Sequence, residues 1–281
     1  MGKNELTLVA NYSGTTLLIV NITTYILMKL ITLNIWGGKL IDSLLGFIAE
    51  NAQTVDIFCF QEVYSSPISR IISRDMRSNV FEEIRSLLKQ HQGYFAPHLR
   101  KRDIDGTVDF DLSTGLAMFI RESLVVTEST DVFIYRSGFD LIDGSYRSVP
   151  RNLQYMVVSN DNVDYLIAHF HGIWFPKTKL DTEERIEQSR KIKHLLSKRN
   201  ERKILCGDFN LVPDTESMHI LEEGMKNLVK DFGIQTTRNE FYKGEDKLAD
   251  YVLISPEIKV KQFKVYNTAV SDHLPVYVEF A

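Results

Sequence analysis

The sequence predicts an α/β protein in which β-sheets pack face to face and helices cover their outer surfaces. From residue 29 onward, short apolar runs of strand length alternate with segments of helical periodicity. Through the middle of the chain, strands follow one another with few long helices between them. The chain has 281 residues, 44% of them hydrophobic, which is enough to bury a sizeable core. No linker or repeat interrupts residues 29–281, so we expect them to form one domain.

The spacing of apolar residues predicts the individual elements. Helical spacing covers residues 40–51, 79–92, 181–198 and 217–223, with Asp181 as the expected N-cap of the third helix. Short apolar runs that predict strands cover 30–35, 55–60, 115–120, 124–133, 153–158, 165–169, 203–206, 250–254, 258–266 and 276–280.

Residues 1–28 form an N-terminal extension of a different character. Leu6 to Met28 contains no charged residue and weakly resembles the core of a signal peptide or membrane anchor. Polar residues such as Asn11 and Asn21 dilute it below the ~20 apolar residues of a good span. We expect a dispensable extension, with an extra strand or packed arm, or a signal or anchor, as alternatives. The expected location is cytoplasmic, since Cys59 and Cys206 both lie in apolar runs and predict buried free thiols.

The charge balance limits the classes of partner. There are 33 basic and 37 acidic residues, so the net charge of −4 predicts no general affinity for nucleic acid, although a local basic patch remains open. The cluster His98 to Arg102 is either a phosphate-receiving patch or a solvated loop. The segment Tyr135 to Arg151 mixes aromatic and basic residues suited to bases or a lipid head group, and Arg151 is a candidate substrate-binding residue. Trp174 to Pro176 is either an exposed tip or part of the packing.

Polar residues at strand ends carry the functional signal. One such residue alone is typical of a strand cap, and a single histidine is typical of a buried, hydrogen-bonded imidazole. Many at the same kind of junction predict a cleft at the edge of the sheets. The set comprises Asn34, Glu62, His169, His171, Asp208, Asn210, Asp250, Asp272 and His273.

The oxygen-bearing members of this set predict a site for a hard divalent cation. Glu62, Asn34 and Asp272 offer the carboxylate and amide oxygens that Mg²⁺ or Mn²⁺ prefers. Asp208 could orient or deprotonate an attacking water, and Asn210 could hold that water or a phosphoryl oxygen.

The histidines predict stabilisation of negative charge. His169 and His273 could donate hydrogen bonds to an oxyanionic phosphorus, and Asp250 could fix the tautomer of a neighbouring imidazole. Since no serine or cysteine has a nucleophile motif around it, the set favours phosphoester hydrolysis over acyl transfer.

With these motifs in place, the chain from about residue 29 to 281 resembles the endonuclease/exonuclease/phosphatase superfamily. That superfamily includes abasic-site endonucleases, deoxyribonuclease-type nucleases, neutral sphingomyelinases, inositol-polyphosphate 5-phosphatases and deadenylases. The resemblance implies a four-layer αββα sandwich of two mostly antiparallel sheets flanked by helices. Its motifs here are Leu33-Asn34-Ile35-Trp36, Gln61-Glu62-Val63, Ala168-His169-Phe170, Gly207-Asp208-Phe209-Asn210, Asp250-Tyr251 and Ser271-Asp272-His273-Leu274-Pro275.

The resemblance also implies roles for the matched residues. Glu62 becomes the main metal ligand with Asn34 beside it, and Asp272 lies on the metal side. Asp208 becomes the water-activating group and Asn210 its phosphate-contacting neighbour. His273 would contact the scissile phosphate, with Asp250 behind it. His169 would stabilise the transition state.

Two departures from the family pattern bear on the substrate. Trp36 stands where abasic-site endonucleases commonly carry an acid or amide, and Lys247-Leu-Ala249 lacks an arginine often found beside the following Asp. Both disfavour DNA repair. We expect a monomeric phosphodiesterase or nuclease acting on a phosphoester such as nucleic acid or phospholipid, with no stable protein partner. The alternatives are a phosphomonoesterase or sphingomyelinase-like lipid phosphodiesterase, and a catalytically silent binding module.

Overall fold

The computed structural model describes residues 5–7, 21–23, 27–141, 144 and 146–281. Its helices are α1 (Ile41–Asn51), α2 (Val80–Leu87), α3 (Glu183–Ser197), α4 (Glu216–Glu222) and α5 (Leu228–Asp231). Its strands are β1 (Glu5–Thr7), β2 (Asn21–Thr23), β3 (Met28–Asn34), β4 (Ile57–Ser65), β5 (His91–Arg100), β6 (Arg102–Asp103), β7 (Gly106–Thr107), β8 (Ser113–Arg121), β9 (Val125–Tyr135), β10 (Arg151–Asn160), β11 (Val163–His171), β12 (Arg202–Asp208), β13 (Lys226–Asn227), β14 (Asp250–Ile254), β15 (Val260–Val265) and β16 (Val276–Phe280).

Two six-stranded sheets form the centre of the molecule. The first has the strand order β15-β16-β3-β4-β8-β5, and the second has the order β13-β14-β12-β11-β10-β9. In each sheet the two central strands are parallel, β3 with β4 and β11 with β12. Every other pairing within the two sheets is antiparallel. The carboxyl ends of the two parallel pairs therefore emerge at the middle of each sheet.

Apolar side chains hold the layers together in two buried clusters. One joins the inner faces of both sheets, for example Cys59 and Met118 of the first with Met156 and Cys206 of the second. It extends to Ile192 of α3, which covers the second sheet.

The other cluster packs α1 and α2 against the first sheet, with Leu44, Phe47, Val80 and Phe81 buried on its strand residues. Removal of this apolar surface from water stabilises the stack. The predicted four-layer sandwich is thus confirmed.

The predicted C-terminal end of the second helix is wrong. The helix expected over 79–92 ends at Leu87, and His91 begins β5. Gly93 lies so close to the Phe119 ring that a Cβ atom there would approach it to 2.8 Å, and pairing of this segment with β8 overrides its helical spacing.

Asp181 does not cap α3. The Thr182 side chain accepts the Arg185 N–H instead. Asp181 accepts the backbone N–H groups of Glu216 and Ser217, at 2.7 and 3.0 Å, where its negative charge complements the start of α4.

The N-terminal extension is described at β1 and β2, which pair antiparallel, and at residues 27 and 28, where Met28 begins β3. The expectations for the rest of residues 1–26 fall outside the described residues. Within the described part of the chain, no helix has both the length and the apolar character needed to cross a membrane. Cys59 and Cys206 are buried free thiols, as predicted.

Candidate active site

The site lies where the carboxyl ends of the two central parallel pairs meet. β3 ends in Asn34, β11 in His171 and β12 in Asp208, while Glu62 lies near the end of β4. Loops after these strands complete a cavity of about 500 Å³. The predicted strand-end and substrate-binding residues that line this cavity are Glu62, Arg151, His171, Asp208, Asn210, Asp272 and His273.

A β-bulge places Glu62 in the cavity. Between Phe60 and Val63 the pairing with β8 shifts by one residue, and Glu62 takes up a left-handed conformation with φ of 57°. Burial raises the pKa of Glu62, the hydrogen bond from Asn34 opposes this, and the charge of Asp272 raises it further. A partly buried carboxylate crowded by other carboxylates favours the binding of a cation.

Asn34 joins the two sheets at the site. Its Nδ2 donates to Glu62 Oε1 and to Asp208 Oδ2, both at 3.1 Å. Its Oδ1, the atom able to ligate a metal, accepts the Trp36 backbone N–H at 3.0 Å. In this arrangement Asn34 holds the two carboxylates close together, and its predicted role as a metal ligand stays a prediction.

Asp208 is the most enclosed carboxylate of the site, with 1% of its surface exposed. Its Oδ2 lies 3.4 Å from His273 Nε2, 3.5 Å from His171 Nε2 and 3.8 Å from the Arg238 guanidinium. Burial alone would raise the pKa of Asp208, but the positive charges of His273, Arg238 and Lys179 outweigh it and lower the pKa. The group is therefore an ionised hydrogen-bond acceptor.

Asp250 holds the imidazole of His273 in place. Its Nδ1–H donates to Asp250 Oδ1 at 2.8 Å, and the Thr237 hydroxyl donates to Asp250 Oδ2 at 2.7 Å. Burial and Arg238 lower the pKa of His273, but the charges of Asp250 and Asp208 prevail and raise it. With Nδ1 fixed on Asp250, Nε2 is directed towards Asp208.

The two histidines of β11 occupy different environments. His169 is fully buried: its Nδ1 accepts from Gln61 Nε2 at 3.1 Å and its Nε2–H donates to Gln154 Oε1 at 2.7 Å. It does not line the cavity, because β11 continues for two residues beyond it to His171. The structure therefore does not support the expectation that His169 stabilises the transition state.

His171 stands at the position that His169 was expected to fill. Its Nε2 lies 3.5 Å from Asp208 and 3.9 Å from Glu62. Its Nδ1 accepts from Arg151, 3.4 Å away, which leaves Nε2 to carry the proton. Burial, reinforced by the charge of Arg151, holds the pKa of His171 well below its usual value, so the imidazole is a neutral donor towards the cavity.

Two cationic residues of the site were not predicted. The Lys179 ammonium donates to Asn210 Oδ1 at 3.0 Å. Arg238 donates to Asp272 Oδ2 at 3.1 Å and also contacts His273. Neither residue ends a strand, and the only local hint in the sequence is the pair of lysines, 177 and 179, that closely follows His171.

The loop that carries Lys179 is held from beneath by Arg185 of α3. This buried guanidinium donates to the backbone carbonyls of Ile173, Trp174, Pro176 and Leu180. The loop is thereby fixed against the second sheet, so the lysine reaches the cavity from a rigid segment.

The basic and aromatic segments fall in separate places. Trp174 is 42% exposed and lines the cavity mouth, which confirms the exposed-tip interpretation. The cluster His98–Arg102 is divided, since His98 is buried in the cavity wall while the Arg100 guanidinium lies over the Phe139 ring. The segment Tyr135–Arg151 is described except at residues 142, 143 and 145.

The carboxylates of the site differ in how many protein hydrogen bonds they accept and in how exposed they are. Asp250 is engaged by His273 and Thr237, whereas the side chains of Glu62 and Asp272 keep 34% and 15% of their surface exposed. Glu62 and Asp272 are thus the oxygen donors most open to a cation. Asp208, Asp250 and His273 also bring ligand atoms within 4.8 Å of one another.

Comparison with known proteins identifies the family of the chain. The sequence model of the Endonuclease/Exonuclease/phosphatase family matches residues 31–273. No curated protein sequence matches the chain.

Similar solved structures share the fold at low identity. A family protein from Leptotrichia buccalis is 19% identical, with a TM-score of 0.66 and coverage of 90% of this chain and 99% of that one. A mannosyl-6-phosphatase from Bacteroides thetaiotaomicron is 18% identical, with a TM-score of 0.61 and coverage of 90% and 99%. The human nocturnin catalytic domain is 17% identical, with a TM-score of 0.60 and coverage of 91% and 94%. The match over most of its length shows that this chain belongs to the endonuclease/exonuclease/phosphatase family of phosphoester hydrolases.

Proposed function

We propose that the protein hydrolyses phosphoesters by attack of a water that Asp208 holds in place, with the help of Mg²⁺ or Mn²⁺. One observation carries the proposal: a buried, ionised Asp208 is surrounded by two imidazoles and a guanidinium at the base of an open cavity. An acceptor for the water and donors for the phosphoryl oxygens therefore face the same space.

The residues suited to hold the metal are Glu62 and Asp272. Their carboxylates are accessible, and the pKa of Glu62 is raised by burial and by nearby negative charge, which a divalent cation would relieve. When bound, Mg²⁺ or Mn²⁺ supplies Lewis-acid polarisation of the phosphoryl group.

The proton-handling residues have separate tasks. Asp208 accepts a hydrogen bond from the attacking water and orients it, since a carboxylate with a lowered pKa is a better acceptor than base. His273, fixed by Asp250, takes part through Nε2 on the same side of the cavity.

The donors to the developing negative charge are His171 Nε2–H, Arg238 and Lys179. Each is preorganised by a protein partner: Arg151 fixes the tautomer of His171, Asp272 holds Arg238 and Asn210 holds Lys179. Donors placed in advance need no reorganisation in the transition state.

The class of phosphoester stays a proposal. The sequence favours a phosphodiesterase or nuclease, while one structural neighbour is described as a mannosyl-6-phosphatase. The first experiment therefore compares bis(p-nitrophenyl) phosphate with p-nitrophenyl phosphate, each with Mg²⁺, with Mn²⁺ and with excess chelator.

Asp208→Asn tests the central assignment. We expect its turnover to fall about 10³-fold with the fold intact, because the amide no longer accepts from water as a charged group does. The exposed Asp214→Asn is the matched control and should keep the parental rate. Near-parental turnover by Asp208→Asn, or full activity in chelator, would contradict the proposal. Retained phosphoester binding without metal-dependent turnover would instead support the silent binding module.

A further inference from the structure

We propose that the cavity contains a second compartment, beyond Arg151, that binds a neutral, hydroxyl-bearing organic group such as the sugar or polyol of a small phosphoester. The proposal rests on the proposed function, because the phosphoryl group would lie at Asp208. We call this compartment the leaving-group arm. It is lined by Tyr64, Met76, His98, Leu99, Thr114 and Val149.

The fold builds the arm around strand β8. β4 pairs with β8 on one side and β5 on the other, and each of these neighbours carries a bulge near Gly115 of β8. The first bulge contains Glu62. The second contains His98, the extra residue between Pro97 and Leu99. Thr114 lies between the two bulges, opposite Tyr64 and Leu99. The same local device therefore shapes the metal end of the cavity and the arm.

Most of the arm is apolar. Tyr64, Met76 and Leu99 are each about nine-tenths buried or more and give the arm hydrophobic walls. Apolar walls with a few well-placed polar groups are characteristic of small-molecule sites, whose volumes are roughly 300–1,000 Å³. The whole cavity, at about 500 Å³, falls within this range. These dimensions suit a small organic ester.

The polar groups of the six residues that define the arm are neutral. Burial and the charge of Arg151 lower the pKa of His98 to about 3, so its imidazole is uncharged at neutral pH. The buried Thr114 hydroxyl has no hydrogen-bond partner among the described residues. A buried polar group without a partner is costly, and a ligand hydroxyl can both donate to it and accept from it.

A second anionic group fits the arm less well. The Asp103 carboxylate lines the same cavity, and Arg151 donates to His171 from Nη1, with its Nε left without a partner among the described residues. Arg74, an exposed cation that also lines the cavity, forms a salt bridge of 2.8 Å with Asp105. The charge pattern thus favours hydroxyl groups over a further phosphate.

The test compares two phosphomonoesters that differ in the group entering the arm. Glucose 6-phosphate carries several hydroxyls, whereas phenyl phosphate has none beyond its phosphate. In the parent protein we expect the larger kcat/KM for glucose 6-phosphate. Thr114→Val keeps the shape of the side chain and removes its hydroxyl. The ratio of kcat/KM for glucose 6-phosphate to that for phenyl phosphate should then fall about five- to tenfold, as for one lost hydrogen bond.

Two further variants keep the test decisive. Thr114→Ser restores a hydroxyl and should recover most of the parental ratio. Thr127→Val makes the same change at an exposed position of β9 and should not alter the ratio. A circular-dichroism spectrum confirms that each variant is folded.

The outcomes separate this inference from the proposed function. Metal-dependent turnover with a ratio unaffected by Thr114→Val overturns the arm and leaves the hydrolase standing. A strong preference of the parent for RNA or DNA over both small esters also overturns the arm. Loss of metal-dependent turnover on every ester removes the proposed function itself.

Discussion

Two neighbouring sets of polar residues differ in their hydrogen bonding and in their access to the cavity. The first, which we call the intersheet seam, consists of Thr32, Gln61, Gln154 and His169. There Gln61 donates to Thr32 and His169, and His169 donates to Gln154. The second, the cleft cluster, consists of Glu62, His171, Asp208 and His273.

The seam has no formal charge, and its members bind mainly one another. In the cleft cluster, carboxylates crowd together and imidazole nitrogens face an open cavity. Gln61 and Glu62 are adjacent in the chain, and His169 and His171 are two residues apart. Residue type therefore does not separate the two sets. What separates them is their surroundings: apart from Gln61 Oε1, which has no partner among the described residues, the seam is closed by hydrogen bonds within the protein, whereas the cleft cluster faces an open cavity.

The largest expected effect on turnover comes from replacing each of the two histidines, His169 and His171, separately by glutamine. His171→Gln should lower turnover about 10²–10³-fold, because a flexible amide replaces the Nε2–H donor that Arg151 holds in place towards the phosphoryl oxygens. His169→Gln should keep turnover within a few-fold of the parent, since an amide can still bridge Gln61 and Gln154. Steady-state kinetics on p-nitrophenyl phosphate measure both. Equal losses in the two variants would remove the distinction between seam and cleft.

The next effect concerns stability against acid. Burial lowers the pKa of His169 to about 3, whereas in the unfolded chain it is near 6.5. Between these values the unfolded chain binds the extra proton, so stability is fully present above pH 6.5 and declines as the pH falls towards 3. The expected slope from this residue is about 1.4 kcal/mol per pH unit. Urea unfolding at pH 7, 6, 5 and 4 measures it.

His169→Leu provides the comparison for that slope. It should be less stable at pH 7, because two buried amides lose a partner, and its stability should decline less steeply below pH 6. His194→Leu on the exposed side of α3 is the matched control. A slope in His169→Leu as steep as in the parent would show that the seam does not sense protons.

The smallest expected effect is stabilisation by metal. Millimolar Mg²⁺ or Mn²⁺ should raise the melting temperature of the parent by a few degrees, corresponding to about 1–3 kcal/mol at saturating metal. Glu62→Gln should abolish most of this shift, and Glu183→Gln on the surface of α3 should not. An undiminished shift in Glu62→Gln would place the metal elsewhere, with Asp208, Asp250 and His273 as the alternative group.

Much of the architecture follows from local pattern. The strands at 250–254 and 276–280 have the predicted bounds, because Asp250 and Pro275 mark where each begins. The helix over 79–92 was overextended since its apolar spacing continues into a segment that pairs with β8. Helical propensity depends on neighbouring residues, whereas the pairing of residues 91 and 92 with β8 depends on residues more than twenty positions further along the chain.

The site residues that the sequence predicted are acidic, amide or histidine residues next to predicted strand ends. Glu62, Asp208 and His273 were found for that reason. His171 was placed second to His169 because sequence alone does not tell how far a strand continues past its last apolar residue. Lys179 and Arg238 reach the cavity from loops, and no local pattern marks such positions.

Because of the bulge at Glu62, the position of the active-site carboxylate depends on how many residues β4 contains as well as on which residues they are. Side chains of a strand alternate between its two faces, so one inserted residue reverses the facing of everything beyond it. Shortening β4 by any single residue between Phe60 and Val63 would restore regular pairing with β8 and move the remaining acidic or amide group out of place. We therefore expect a one-residue deletion in this stretch to displace the site, an effect that single substitutions at the same residues would not produce.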